Sequence, residues 1–205
     1  MLNIQEKTFE SIKYLVCLPE GFSGEQKYPI IIHLHGAGSR GTDPIVLKDQ
    51  AIVRYASDAA EFPFLMFLPQ CRQKYWEDVF EQLRSFIYYV KELPYVDADR
   101  IFLSGVSMGG IISWHLLITE NAIFKKAIIC CGAGMYWRVG SVKAKVWAFH
   151  GTEDDKAVPY EAGKKMIDHM LRLGKDAKLT SYEGAGHNVW DRTYANPEIY
   201  DWLLS

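Results

Sequence analysis

Ser107 stands in Gly105-Val106-Ser107-Met108-Gly109, between an apolar run of strand character, 100–104, and a stretch of helical recurrence, 111–119. Strand, G-x-S-x-G and helix together are the setting of a nucleophile elbow, a sharp turn that leaves no room for side chains two residues either side of the serine. A bare match to this pattern arises by chance about 0.05 to 0.1 times in a chain this long, so its surroundings must decide. A serine hydroxyl is a poor nucleophile until a base takes its proton. Of the six histidines, His33 and His35 precede the serine, and His115 and His169 fall within helical patterns that suit structural roles. His187 lies in Glu183-Gly-Ala-Gly-His-Asn-Val-Trp190, directly after the last expected strand. A loop at a strand end can reach Ser107, so His187 is the expected general base. The carboxylate that such a base needs to fix its tautomer has two candidates in another loop that follows a strand, Asp154 and Asp155.

The elements that must position these residues are legible as hydrophobic pattern. Strands are expected over 8–18, 30–35, 64–69, 100–104, 126–131, 144–150 and 178–183. Between 77 and 93, Val79, Leu83, Phe86, Ile87 and Val90 recur at helical spacing, and Ala162, Met166, Ile167, Met170 and Leu171 do so within 160–173. Shorter helices are expected over 51–60 and 199–204, and a turn over Asp97–Asp99. Runs such as Ile30-Ile-Ile-His-Leu34 are apolar on both faces, as in strands of a parallel sheet covered on both sides. The expected fold class is therefore α/β: a mostly parallel central sheet with helices on both faces and an antiparallel N-terminal edge. The first strand is expected to lie beside 30–35 as a hairpin-like neighbour. Ligands of such sheets bind outside the carboxyl ends of the strands. Ser107, the glycine loop 36–43 and the loops after Phe149 and Glu183 all fall there.

Composition narrows the partners. A chain of 205 residues is most simply one domain, 1–205. Formal charge is −2 with both signs interspersed, so no basic stripe exists to track a phosphate backbone and nucleic acid is not an expected partner. The longest apolar runs are too short to span a bilayer. The start, Met1-Leu-Asn-Ile-Gln-Glu-Lys7, lacks the plan of a signal peptide, although a chain trimmed of one would read the same. Cysteines 17, 71, 130 and 131 match neither a disulfide framework nor a zinc spacing, which fits a reducing, cytoplasmic setting. No membrane partner and no metal is expected, and the oligomeric state is left open.

Taken together, the motifs resemble the α/β-hydrolase superfamily. The branch is the compact phospholipase/carboxylesterase one, near polyhydroxybutyrate-depolymerase-like and feruloyl-type esterases. The resemblance runs nearly end to end. It rests on His35-Gly-Ala-Gly38 with Gly41-Thr-Asp43, Pro69-Gln-Cys71 with Trp76, Asp97-Ala-Asp-Arg100, the serine turn, His150-Gly-Thr-Glu-Asp154 and Gly186-His-Asn-Val-Trp190. It implies an α/β-hydrolase fold, a small-molecule ester as the partner, cofactor-free hydrolysis of that ester through an acyl-enzyme and the chain order serine, acid, histidine. It also covers proteins labelled as peptidases. Counted forward from His150-Gly151 the acid is Asp154; counted back from Val158-Pro159 it is Asp155. The first count starts from a fixed strand, so Asp154 is preferred. The resemblance assigns the oxyanion to two backbone N–H groups, that of Met108 and, from the H-G-x-G loop, that of Ala37. Trp76, Trp137 and Trp190, in or beside these loops, are candidate walls of a substrate pocket. No insertion is long enough for a large lid.

Overall fold

The computed structural model describes residues 2–59 and 61–205. One eight-stranded sheet runs through it: β1 (Asn3–Phe9), β2 (Ile12–Leu18), β3 (Tyr28–Leu34), β4 (Leu65–Pro69), β5 (Val96–Val106), β6 (Lys126–Cys130), β7 (Lys145–Gly151) and β8 (Ala177–Tyr182). Their order is β1-β2-β4-β3-β5-β6-β7-β8. The six strands from β4 to β8 pair in parallel, and β1 and β2 add an antiparallel edge. Among the described residues six α-helices accompany the sheet: α1 (Ala51–Asp58), α2 (Phe80–Lys91), α3 (Met108–Thr119), α4 (Tyr160–Arg172), α5 (Trp190–Tyr194) and α6 (Glu198–Leu204).

Strand alternation divides the core into two layers. Ile30, Ile32 and Leu34 of β3 pack with Leu83 and Phe86 of α2, Ile112 of α3 and Met166 of α4. Ile31 faces the other way, toward Ile52 of α1, Tyr194 of α5 and Leu203 of α6. Both faces of β3 are thus dry, which is why its sequence reads as an unbroken apolar run. Each such isoleucine contributes about 1.5–3 kcal/mol by leaving water.

The N-terminal edge differs from the sequence expectation. Residues 8–18 are not one strand, because the chain reverses at Glu10, whose φ is 50°, and β1 folds back on β2. Nor does β2 pair with β3. Leu65, Met66, Phe67 and Leu68 of β4 are at most 1% exposed, and this doubly apolar strand takes the interior place between them. The turn expected at Asp97–Asp99 lies inside β5, where the register slips: Tyr28 pairs with Val96 but Ile30 with Ile101. Of the expected helix 51–60, 51–58 is helical and Ala60 lies outside the described residues.

One consequence positions the site. From β3 the chain moves to β4 on one side, whereas β5, on the other side of β3, leads away to β6. The loops leaving the adjacent ends of β3 and β5, where Leu34 pairs with Gly105, therefore diverge and open a crevice between them.

Candidate active site

Ser107 sits at the head of this crevice with φ 53° and ψ −118°, a strained conformation for a residue with a side chain. The flanking glycines make it possible. A Cβ built on Gly109 would lie 1.9 Å from the carbonyl oxygen of Leu34, and one on Gly105 would lie 2.3 Å from Ser113 Oγ and 2.4 Å from the oxygen of Gly109. Only glycine lets α3 start this close to the ends of β3 and β5. Serine usually caps a helix through its side chain, but Ser107 precedes α3 without such a bond. Its Oγ instead lies 2.8 Å from His187 Nε2.

His187 Nδ1 lies 2.6 Å from Asp154 Oδ2, so the structure brings Ser107, His187 and Asp154 into one hydrogen-bonded line. Asp154 is 3% exposed, whereas Asp155 is exposed to solvent. The Asp154 carboxylate also receives the N–H of Val158 at Oδ1 and has His150 Nε2 3.2 Å from Oδ2. Burial alone would raise its pKa. The hydrogen bond and charge of His187, the Val158 N–H and His150 outweigh that and hold the carboxyl below its usual range. His150 is fixed in turn by the carbonyl of Val158, 2.8 Å from Nε2, and by the bare face of Gly163, where a Cβ would lie 2.4 Å from Nδ1. Cys131 Sγ donates to the His187 carbonyl and so ties the histidine loop to the end of β6.

A second set of bonds holds the loop after β3. His35 accepts the N–H of Cys71 at Nε2, across 2.9 Å, so its own hydrogen is on Nδ1 and is donated to the carbonyl of Gly36 at 2.7 Å. Burial pushes this imidazole down to about 4 and keeps it neutral. Trp76 Nε1 donates to the carbonyl of His35 at 3.1 Å. Two successive peptides are therefore held by side chains, and the second of them ends in the N–H of Ala37. Ala37 opens a short 3₁₀ turn, Ala37–Ser39, and Met108 opens α3, so both N–H groups belong to first turns, which lack intrahelical acceptors. Gly36 brings the two segments together, since a Cβ on it would lie 3.5 Å from that of Ser107.

A cavity of about 400 Å³ opens over Ser107 and His187, walled by Ala37, Ser39, Gln50 and Trp190 among others. The three tryptophans part company here. Trp190 lines the cavity, with its ring edge-on to His187. Trp76 has no exposed surface and walls nothing, being packed beneath the loop that it braces. Trp137 is 63% exposed and is not among the residues that line the cavity, its ring standing edge-on to Tyr136. Trp76 is packing, as aromatic rings near a site more often are than pocket wall. The donor atoms of Cys131, His150 and Asp154 lie within 4.8 Å of one another and could hold a metal. In this structure Asp154 Oδ2 and Cys131 Sγ are hydrogen-bonded to His187.

The pattern of residues left several contributors unmarked. His35 and Trp76 were legible only as motif and candidate wall, not as braces. Gln50 and Ser39 carry no motif. Cys131, at φ 48°, is a strained residue inside an apolar run. Its place next to Gly132 at a strand end is the one local signal for it.

A model of the dienelactone hydrolase family matches residues 20–198. The chain belongs to that family. Its structural neighbours place it in the α/β-hydrolase superfamily. A thermostable esterase matches this dienelactone hydrolase family member with 27% identity and a TM-score of 0.85, over 98% of this chain and 62% of the esterase. A feruloyl esterase module from Clostridium thermocellum, complexed with sinapinate, matches at 18% identity and a TM-score of 0.76, over 98% of this chain and 87% of the module. The dipeptidyl peptidase 4 of Porphyromonas gingivalis matches at 14% identity and a TM-score of 0.76, over 99% of this chain and 35% of the peptidase. The last two likenesses concern the fold. The chain thus spans less than two thirds of the esterase and about a third of the peptidase. Among the described residues, no helix is long and apolar enough to cross a membrane.

Proposed function

We infer that residues 1–205 form one α/β-hydrolase domain that hydrolyses carboxylic esters by way of an acyl-enzyme on Ser107. One observation carries the reading: Ser107 Oγ lies 2.8 Å from His187 Nε2 while Asp154 Oδ2 lies 2.6 Å from His187 Nδ1, in a cavity at the end of β5. Asp154, ionised and buried, fixes the tautomer with hydrogen on Nδ1 and leaves the Nε2 lone pair for the serine proton. Ser107 Oγ attacks the ester carbonyl as that proton moves to His187. The N–H groups of Met108 and Ala37 receive the oxyanion. His187 then protonates the departing alcohol, and water, activated by the same imidazole, releases the acid. Membership of the dienelactone hydrolase family and likeness to an esterase favour an ester over an amide.

Steady-state hydrolysis of p-nitrophenyl butyrate by the wild type and by Ser107→Ala tests this reading. The expected loss in kcat is about 10⁴–10⁶-fold, with the fold intact by circular dichroism. Comparable rates in the two proteins would refute it.

A further inference from the structure

A line of hydrogen bonds runs from the interior of the sheet to the cavity and takes no part in the chemistry just described. It begins at the Tyr194 phenol, 2.6 Å from Ser104 Oγ. Ser104 Oγ lies 3.1 Å from His33 Nδ1, and His33 Nε2 lies 3.4 Å from Gln50 Oε1. Gln50 Nε2 then donates to Ser39 Oγ across 2.9 Å. Tyr194, Ser104 and His33 are at most 1% exposed, whereas Gln50 and Ser39 line the cavity with Ser107 and His187.

The line has a direction. A phenol is a stronger acid than an aliphatic alcohol, so Tyr194 donates to Ser104. The hydrogen of Ser104 then goes to His33 Nδ1, which places the imidazole hydrogen on Nε2, facing Gln50 Oε1. Burial pushes His33 down to about 3, so the ring is neutral and has one hydrogen to give. The Gln50 carboxamide is thereby turned with its NH₂ toward Ser39. Ser39 Oγ accepts one of those hydrogens, and its own hydrogen has no acceptor among the described residues. Two neutral donors are left at the cavity wall: the Ser39 O–H and the second N–H of Gln50. Neither arginine nor lysine is among the residues that line the cavity. A ligand carboxylate would therefore lose its water without gaining a cation, which is costly.

We propose that Ser39 and Gln50 form a donor subsite that selects uncharged esters bearing an ether or hydroxyl oxygen close to the scissile bond. The proposal rests on the reading of Ser107 as the nucleophile and adds the substrate class. Tyr194, Ser104 and His33 are positioning residues. They hold the carboxamide so that its donors are set before the ester arrives, which saves the ordering that binding would otherwise require.

Two isosteric pairs test it, each exchanging one CH₂ for oxygen: p-nitrophenyl methoxyacetate against p-nitrophenyl butyrate on the acyl side, and 2-methoxyethyl acetate against n-butyl acetate on the alcohol side. The oxygenated-to-alkyl ratio of kcat/KM is compared between wild type, Ser39→Ala and Gln50→Met, which cancels intrinsic reactivity. The expected result is a fall of about three- to tenfold in that ratio for both variants in at least one pair, the worth of a neutral hydrogen bond. The responding pair identifies the side of the ester that the subsite binds. Wild type is also expected to turn over monoethyl succinate at least about tenfold less well than ethyl butyrate, the mark of a carboxylate buried without a partner. Ratios within about twofold of wild type in both pairs, or equal use of monoethyl succinate, would overturn the subsite and leave the hydrolase reading standing. Absence of Ser107-dependent turnover of every one of these esters would overturn both.

Discussion

His35 Nδ1 donates to the carbonyl of Gly36 at 2.7 Å, and the other end of that same peptide is the N–H of Ala37. A peptide is planar and rigid, so fixing its oxygen fixes its hydrogen. With Trp76 Nε1 on the carbonyl of His35, the direction of the Ala37 N–H is set by two buried side chains. Loss of a whole oxyanion donor costs about 10²–10³ in kcat. Trp76→Phe keeps an aromatic ring but loses the N–H together with the five-membered part of the indole, and is expected to lower kcat by roughly tenfold, with KM changed by less than about threefold. Stopped-flow or steady-state kinetics on p-nitrophenyl butyrate checks this. A loss confined to KM would mean that Trp76 shapes binding and not the oxyanion donor.

The acidic loop allows a sharp comparison. Asp154 is buried and bonded to His187, whereas its neighbour Asp155 is exposed. Asp154→Asn is expected to reduce kcat by about 10⁴-fold, because an amide favours the wrong imidazole tautomer. Asp155→Asn is expected to stay within about twofold of wild type, as for a change confined to an exposed side chain. Reversed effects would move the acid by one residue.

The serine turn depends on a missing methyl group. Gly109→Ala would put a Cβ 1.9 Å from the carbonyl oxygen of Leu34, and a backbone atom cannot step aside as a flexible side chain can. The expected cost is more than about 4 kcal/mol, enough to abolish soluble folded protein or to lower the urea midpoint severely. A variant with near-wild-type stability would show that α3 does not start where this structure puts it.

Acid should unfold this protein early. Burial holds His33 at about 3 and His35 at about 4, against 6.5 for a free histidine. Between those values the unfolded chain binds protons that the folded chain refuses, so this stability is fully present above about pH 6.5 and is lost as pH falls toward 4 and below. Each histidine is worth on the order of 3–5 kcal/mol in full, comparable with a whole domain's net stability. The urea midpoint is expected to drop clearly from pH 7.5 to pH 5. An unchanged midpoint would contradict the neutral, buried state of both rings.

Much of this arrangement was legible in residue types. Apolar runs such as 30–34 and 126–130 announced strands buried on both faces, and the helices over 80–91 and 160–172 appeared as periodic stripes. Ser107, His187 and Asp154 stood out because glycine turns at strand ends are rare enough to notice. What stayed hidden depends on pairing across the sheet. No local pattern tells that β4, and not β2, lies beside β3, since both are apolar enough to pair there. The line from Tyr194 to Ser39 joins residues up to 155 positions apart in number, each unremarkable alone. Trp76 reads as a pocket wall only while its depth is unknown.

In the proposed mechanism Ser107 is a nucleophile activated by His187. Labelling of the native protein with a fluorophosphonate, followed by peptide mapping, tests it most directly. One phosphonyl adduct is expected, on Ser107, absent from Ser107→Ala and formed far more slowly in His187→Ala. No adduct on Ser107, or one formed equally fast without His187, would contradict the account.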